Sequence, residues 1–138
     1  MTADGLIACI SKFGPKETMD RVAAAVTSRG ISIMARIDYA AATAAVGMEL
    51  RPTEVLIFGN PRAGTPLMQA VQTVGIDLPL KALVWQDEGG TTWLAYNDAR
   101  WLAQRHGVDA ALDRTLHAMA DALAAVAREA TTATAEDR

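Results

Sequence analysis

His106 closes the run Arg105-His106-Gly107, and an imidazole there could carry a proton near neutral pH or ligate a metal. At a helix C-terminus the same residue also interacts well with the dipole and the last carbonyls, with no chemistry involved. Lys81 follows Leu78-Pro79-Leu80 and could act as base or nucleophile where apolar neighbours lower its pKa. A lysine at a sheet edge serves equally well to block stray strand pairing. The segment Gly59-Asn60-Pro61-Arg62-Ala63-Gly64-Thr65-Pro66 reads as a turn-rich loop whose free amides, with Arg62, could hold a phosphate or carboxylate. It fits neither the Gly-x-x-x-x-Gly-Lys-Ser/Thr nor the Gly-x-Gly-x-x-Gly pattern, so nucleoside triphosphatase and dinucleotide chemistry are unsupported. The plainer reading is a tight turn in which Gly and Pro set the backbone angles.

Asp113, His117 and Asp121 stand four residues apart and share one helical surface, where two carboxylates and an imidazole could bind a divalent ion weakly. A solvated stripe is the favoured reading, since a metal site needs a closed set of ligands and their supporting partners. Trp85, Trp93, Trp101 and Tyr96 could line a pocket for a flat apolar ligand, although packing of sheet against helix accounts for them more simply. The single cysteine, Cys9, lies in an apolar run, where burial raises a thiol pKa and dulls its nucleophilicity.

These groups must be positioned by short elements. Leu6–Ile10 is a buried strand by length and composition. Pro15 and Glu17 suit a helix start, and Met19, Val22, Ala23 and Val26 repeat at helical spacing before Gly30. Ile31, Ile33, Ala35 and Ile37 alternate as in a strand. The alanine-rich Tyr39–Val46 predicts a short helix, Glu54–Phe58 a strand, and Thr65-Pro66 an N-cap and first position for a helix carrying Leu67, Val71 and Val74. Leu80–Gln86 and Thr91–Tyr96 around Asp87-Glu88-Gly89-Gly90 give the strongest hairpin signal. Asn97 or Asp98 can cap a helix that Gly107 stops. A last helix from about Asp109 to Arg128 sets Leu112, Leu116, Met119, Leu123 and Val126 in one seam facing the body or a partner.

At 138 residues one core suffices, and the reading is a single domain over 1–130 with a frayed tail at 131–138. A net charge of −3 argues against sustained nucleic-acid binding through a basic face. No apolar run nears the ~18 residues that span a bilayer, and the first residues carry no basic leader. With one cysteine there is no internal disulfide, so a cytoplasmic setting is expected.

Val55-Leu56-Ile57-Phe58-Gly59-Asn60-Pro61 with Gly64-Thr65-Pro66-Leu67-Met68, then Ile76-Asp77-Leu78-Pro79-Leu80-Lys81 and Tyr96-Asn97-Asp98, occur in an order and spacing that resemble the bacterial and archaeal domain of unknown function 302. The resemblance covers roughly residues 5 to 107. It implies an α+β fold, a mainly antiparallel sheet covered by helices in two layers, together with a tendency to self-associate, and no named reaction. In the family pattern His usually stands where this chain has Tyr39, and Pro where it has Ala99; the Arg-His-Gly ending at His106 is shared. Phenol titrates near ~10 and cannot replace an imidazole as a proton carrier at neutral pH.

Four expectations follow. The first is a homodimer that binds a small molecule in a pocket where Tyr39, Asn60, Lys81, Tyr96, Asn97 and His106 converge at the strand ends. The second is haem or metal binding through Tyr39 or His106. The third is an enzyme using Lys81 or His106 in proton transfer, and the fourth is a structural or partner-binding module built on the C-terminal seam.

Overall fold

The first strand ends at Ile10, and Gly14-Pro15 starts a helix whose apolar residues must lie on a sheet. The strands that follow supply that sheet by alternating apolar side chains. A computed structural model describes residues 3–133. Its elements are β1 (Leu6–Ile10), α1 (Pro15–Ser28), β2 (Ser32–Asp38), α2 (Tyr39–Ala44), β3 (Thr53–Gly59), α3 (Pro61–Ala70), β4 (Leu80–Gln86), β5 (Thr92–Asn97), α4 (Ala99–His106) and α5 (Asp113–Thr131). Short 3-10 helices occupy Gln72–Ile76 and Ala110–Leu112.

The sheet order is β1-β5-β4-β3-β2, with every neighbouring pair antiparallel. β1 and β2 are thus opposite edges, and α1 crosses the sheet between them, burying Met19, Val22 and Val26 completely. Strand alternation sends Leu56, Phe58, Ala82, Val84, Leu94 and Tyr96 to this helical side, where they pack with α1 and with Leu123, Val126 and Ala130 of α5. The class is α+β, as the resemblance implies.

A second core lies beyond the sheet end. Leu67 of α3, Val74, Ala99 and Ala103 of α4, and Leu116 and Met119 of α5 form it. At ~1.5 Å per residue, the 19 residues of α5 reach both cores. The C-terminal seam therefore faces the body: Leu116, Met119, Leu123 and Val126 are all buried.

Two expectations need correction here. α3 starts at Pro61, not Pro66, because Asn60-Pro61 is itself an N-cap and first-position pair, with Asn60 Oδ1 accepting from the Arg62 amide at 3.0 Å. Pro66 sits inside the helix and forgoes one backbone hydrogen bond. At the other end Thr131 closes α5 and is buried, its hydroxyl donating to the Ala127 carbonyl at 2.7 Å. Of the expected tail, residues 134–138 lie outside the described residues.

Candidate functional site

Where β3 runs into α3 and the two cores meet, α5 stands away from α3 and leaves an open cavity of about 820 Å³. Its floor is apolar: Phe58, Leu80, Met119, Leu123 and Val126 come from the sheet and α5, and Met68 and Leu78 from the α3 side. Ala118 and Ala122, one helical turn apart on α5, keep that wall low. Asn60, Thr65 and Thr115 supply hydroxyl and amide groups, and Arg29, Arg62 and Arg114 supply charge.

The three arginines differ. Arg29 is neutralised by a two-pronged ion pair with Glu129, at 2.9 and 2.7 Å. That pairing holds the Glu129 carboxyl below its ordinary range, because the hydrogen bonds from Arg29 outweigh desolvation. The guanidiniums of Arg62 and Arg114 have no carboxylate partner among the described residues. The backbone amides at the start of α3 are already used. Asn60 Oδ1 takes the Arg62 amide, and the Asn60 carbonyl takes those of Ala63 and Gly64 at 2.9 and 3.0 Å. The amides that could have held an anion are therefore spent in an ordinary capped helix, and side chains provide the cavity's positive charge.

The six residues expected to converge do not. Tyr39 begins α2 directly after Asp38, which pairs with Glu54 at the start of β3, whereas Asn60 follows Gly59 at the other end of β3. At ~3.3 Å per residue the length of that seven-residue strand separates them. Tyr96 is buried in the core under α1, and burial pushes its hydroxyl pKa up. Lys81 and Asn97 follow the register one step beyond Ala82↔Tyr96 and so take adjacent positions on the opposite face of the sheet. Lys81 Nζ donates to the Pro79 carbonyl at 3.4 Å. Only Asn60 reaches the cavity. The physical reason is parity: each step along a strand reverses the face, and three of the six stand on β4 and β5.

His106 has a different task. Its Nε2 lies 2.5 Å from Asp77 Oδ2 and its Nδ1 3.0 Å from Thr73 Oγ1. With both ring nitrogens engaged and 9% of the side chain exposed, it is a clamp between α4 and the 3-10 helix at Gln72–Ile76. Arg105 completes the clamp by donating to both Asp77 oxygens at 2.9 and 2.8 Å. Burial alone would raise the Asp77 carboxyl; the His106 hydrogen bond and the Arg105 charge outweigh it and hold the group below the usual carboxylate range. Of the two residues considered as haem or metal ligands, His106 is held in the clamp and Tyr39 stands exposed at the opposite end of β3 from the cavity. His117 Nδ1 lies 2.8 Å from the Asp113 carbonyl, and no cluster of three metal-ligating side chains occurs among the described residues. Cys9 is half-buried, and desolvation raises its pKa.

Sequence reasoning passed over Arg29 and the α5 wall. The small residues Ala118 and Ala122 at four-residue spacing beside a leucine seam were the available signal.

The chain matches the family described as Domain of unknown function DUF302 over residues 7–126. It is 45% identical over 115 residues to a protein named fluoride-specific ion channel FluC 1 from Brucella suis, which covers 83% of this chain and 45% of that protein. Proteins named FluC 1 from Brucella abortus and FluC 2 from Brucella melitensis match at the same identity over 43% of their length. The chain thus spans less than half the length of these relatives. A crystal structure of an uncharacterized DUF302 protein from Bacillus stearothermophilus superposes with a TM-score of 0.81 at 22% identity, covering 93% of this chain and 99% of the other. Sequence match and shared fold agree on the point that the Val55–Met68 and Ile76–Lys81 motifs raised, and the chain belongs to the DUF302 family.

Proposed function

We propose that this domain binds a small molecule in the cavity between α3 and α5. The observation that carries the reading is the cavity itself: about 820 Å³ with an apolar floor and a few polar groups at its margin, within the ~300–1,000 Å³ typical of small-molecule sites. Phe58, Leu123 and Val126 at its floor belong to the main core, so the site rests on rigid packing. The unpaired Cys9 supports a cytoplasmic setting for it.

The test is native mass spectrometry of freshly purified protein beside an Ala118→Trp variant. One adduct of fixed mass per chain, lost from the variant, is the expected result. Absence of any adduct, together with no enhancement of an added solvatochromic dye, rejects the site.

The ion-channel name is that of the longer relatives. No helix among the described residues is long and apolar enough to cross a membrane, and the matched segment is under half of those proteins. We infer for this chain a binding role alongside, in such relatives, whatever the remaining length does.

Self-association is a second reading, favoured by the sheet's other face. Ile57, Leu83, Trp85 and Trp93 alternate away from α1 and α5, are only partly buried and belong to neither core cluster, with Val55 and Ala95 closed in between their neighbours on the same face. Ile10 and Ile37 extend this face at 58% and 37% exposure. An antiparallel sheet apolar on both sides points to a partner, and a second copy would meet it through a two-fold axis. Light scattering across a dilution series is expected to show a dimer that Ile37→Lys weakens. A monomer at all concentrations overturns this reading.

A further inference from the structure

We propose that the ligand of the cavity is an amphipathic anion, its negative head held by Arg62 and Arg114 and its apolar body laid on Met68, Leu80, Met119 and Leu123. The inference deepens the binding reading and rests on it.

Charge distribution is the first support. The chain carries 16 acidic against 13 basic residues, yet no Asp or Glu lines the cavity while three arginines do. One of these is spent on Glu129. The other two stand on different walls, Arg62 on α3 and Arg114 on α5, so an anion lying between the walls meets a guanidinium from each side. With Asn60 satisfying the first amides of α3, the charged donors left for it are the two guanidiniums, beside the Asn60 amide and the Thr65 and Thr115 hydroxyls. Guanidinium forks suit carboxylate and phosphate heads alike.

The floor supplies the second support. A bare inorganic anion would leave the partly or fully exposed Met34, Met68, Leu78 and Leu80 of the lining facing water, whereas an aliphatic body covers them. Met68 and Met119 are unbranched and adapt to chains of differing shape. Three arginines in a chain of net charge −3 do not make the extended basic track that a polyanion requires.

Calorimetric titration of the full chain with decanoate, decyl phosphate, decan-1-ol and decyltrimethylammonium tests the inference. Both anions are expected to bind at least about tenfold more tightly than the alcohol, with the cation weakest; whichever anion leads identifies the head group. Lengthening octanoate to decanoate should strengthen binding about fourfold per methylene. Arg62→Gln with Arg114→Gln, both exposed positions, should bring decanoate down to the alcohol's affinity and leave the alcohol unchanged. If alcohol and acid bind alike, the anionic head is wrong and the site survives. If acetate or inorganic phosphate binds as tightly as decanoate, the apolar body is wrong. If none of the four binds, the site and this inference fail together.

Discussion

The Asp77 clamp gives the sharpest test of the geometry, through the substitution Asp77→Asn. Asp77 is 15% exposed and receives His106 Nε2 at 2.5 Å, while the half-exposed Arg105 reaches both its oxygens. The contact ties the end of α4 to the turn that leads into β4. A charge-assisted hydrogen bond of this degree of burial contributes about 1.5–3 kcal/mol. The Arg105 pair is discounted to less than about 1 kcal/mol because solvent screens it. The expected loss is therefore about 2 kcal/mol, near 8 °C in Tm for a chain of this size. The sign with pH follows from the depressed carboxyl. Its folded pKa lies below its unfolded value, so the stabilisation is complete above the unfolded pKa of ~3.9 and disappears as pH falls through the folded one. Urea denaturation followed by tryptophan fluorescence at pH 5 and 3.5 should show a gap between wild type and variant that narrows at the lower pH. A cost no larger than that of Glu88→Gln, in the exposed hairpin turn, or a gap indifferent to acid, would refute the clamp.

Gly5→Ala should cost about 2 kcal/mol or more: Gly5 has φ +75°, and a Cβ there would lie 2.3 Å from Trp101 Cδ2; thermal melting reads the loss directly. Met19→Ala, at a fully buried position beneath the sheet, should cost about 2–5 kcal/mol in urea denaturation. Asp87 accepts the Thr91 amide at 2.9 Å and Trp93 Nε1 at 2.8 Å, so Asp87→Ala should speed hydrogen exchange of the Thr91 amide while leaving the β3 amides protected.

Much of the fold was legible because its signals are local. Gly107 takes φ +67° as a helix stop, Asp98 caps α4 through the Arg100 amide, and Asp87-Glu88-Gly89-Gly90 makes the hairpin. Each of these depends on one or two residues and a backbone preference. The site was not legible in the same way. Asn60 could be nominated from its turn, but Arg114 and Ala122 gain meaning only when α5 crosses from one core to the other, a consequence of packing between segments about fifty residues apart in sequence. Polar residues at predicted strand ends drew attention to Tyr39, Lys81 and Asn97, whereas sheet order, which no local signal contains, puts Tyr39 at the far end of β3 and Lys81 beside Asn97 on the face away from the cavity. His106 was correctly placed at a helix end, and its chemistry turned out to be structural because Asp77 and Thr73 come to it from another segment.

A hollow bordered by core residues carries an energetic consequence of its own. Apolar side chains lining an open cavity lie against water rather than against one another, and a larger apolar residue at its margin should cover part of that surface. Ala122 is half-buried on the α5 wall. In Ala122→Leu three added carbons, at ~0.8 kcal/mol for each fully buried methylene and about half covered here, should stabilise the fold by about 1 kcal/mol, near 4 °C in Tm. The same carbons occupy the place proposed for the ligand's apolar body, so binding of decanoate should weaken as stability rises. Such opposition marks a site whose function needs space that folding would rather fill. A variant that melts lower than wild type would mean that the wall is already packed, and one that melts higher but binds decanoate unchanged would put the ligand elsewhere.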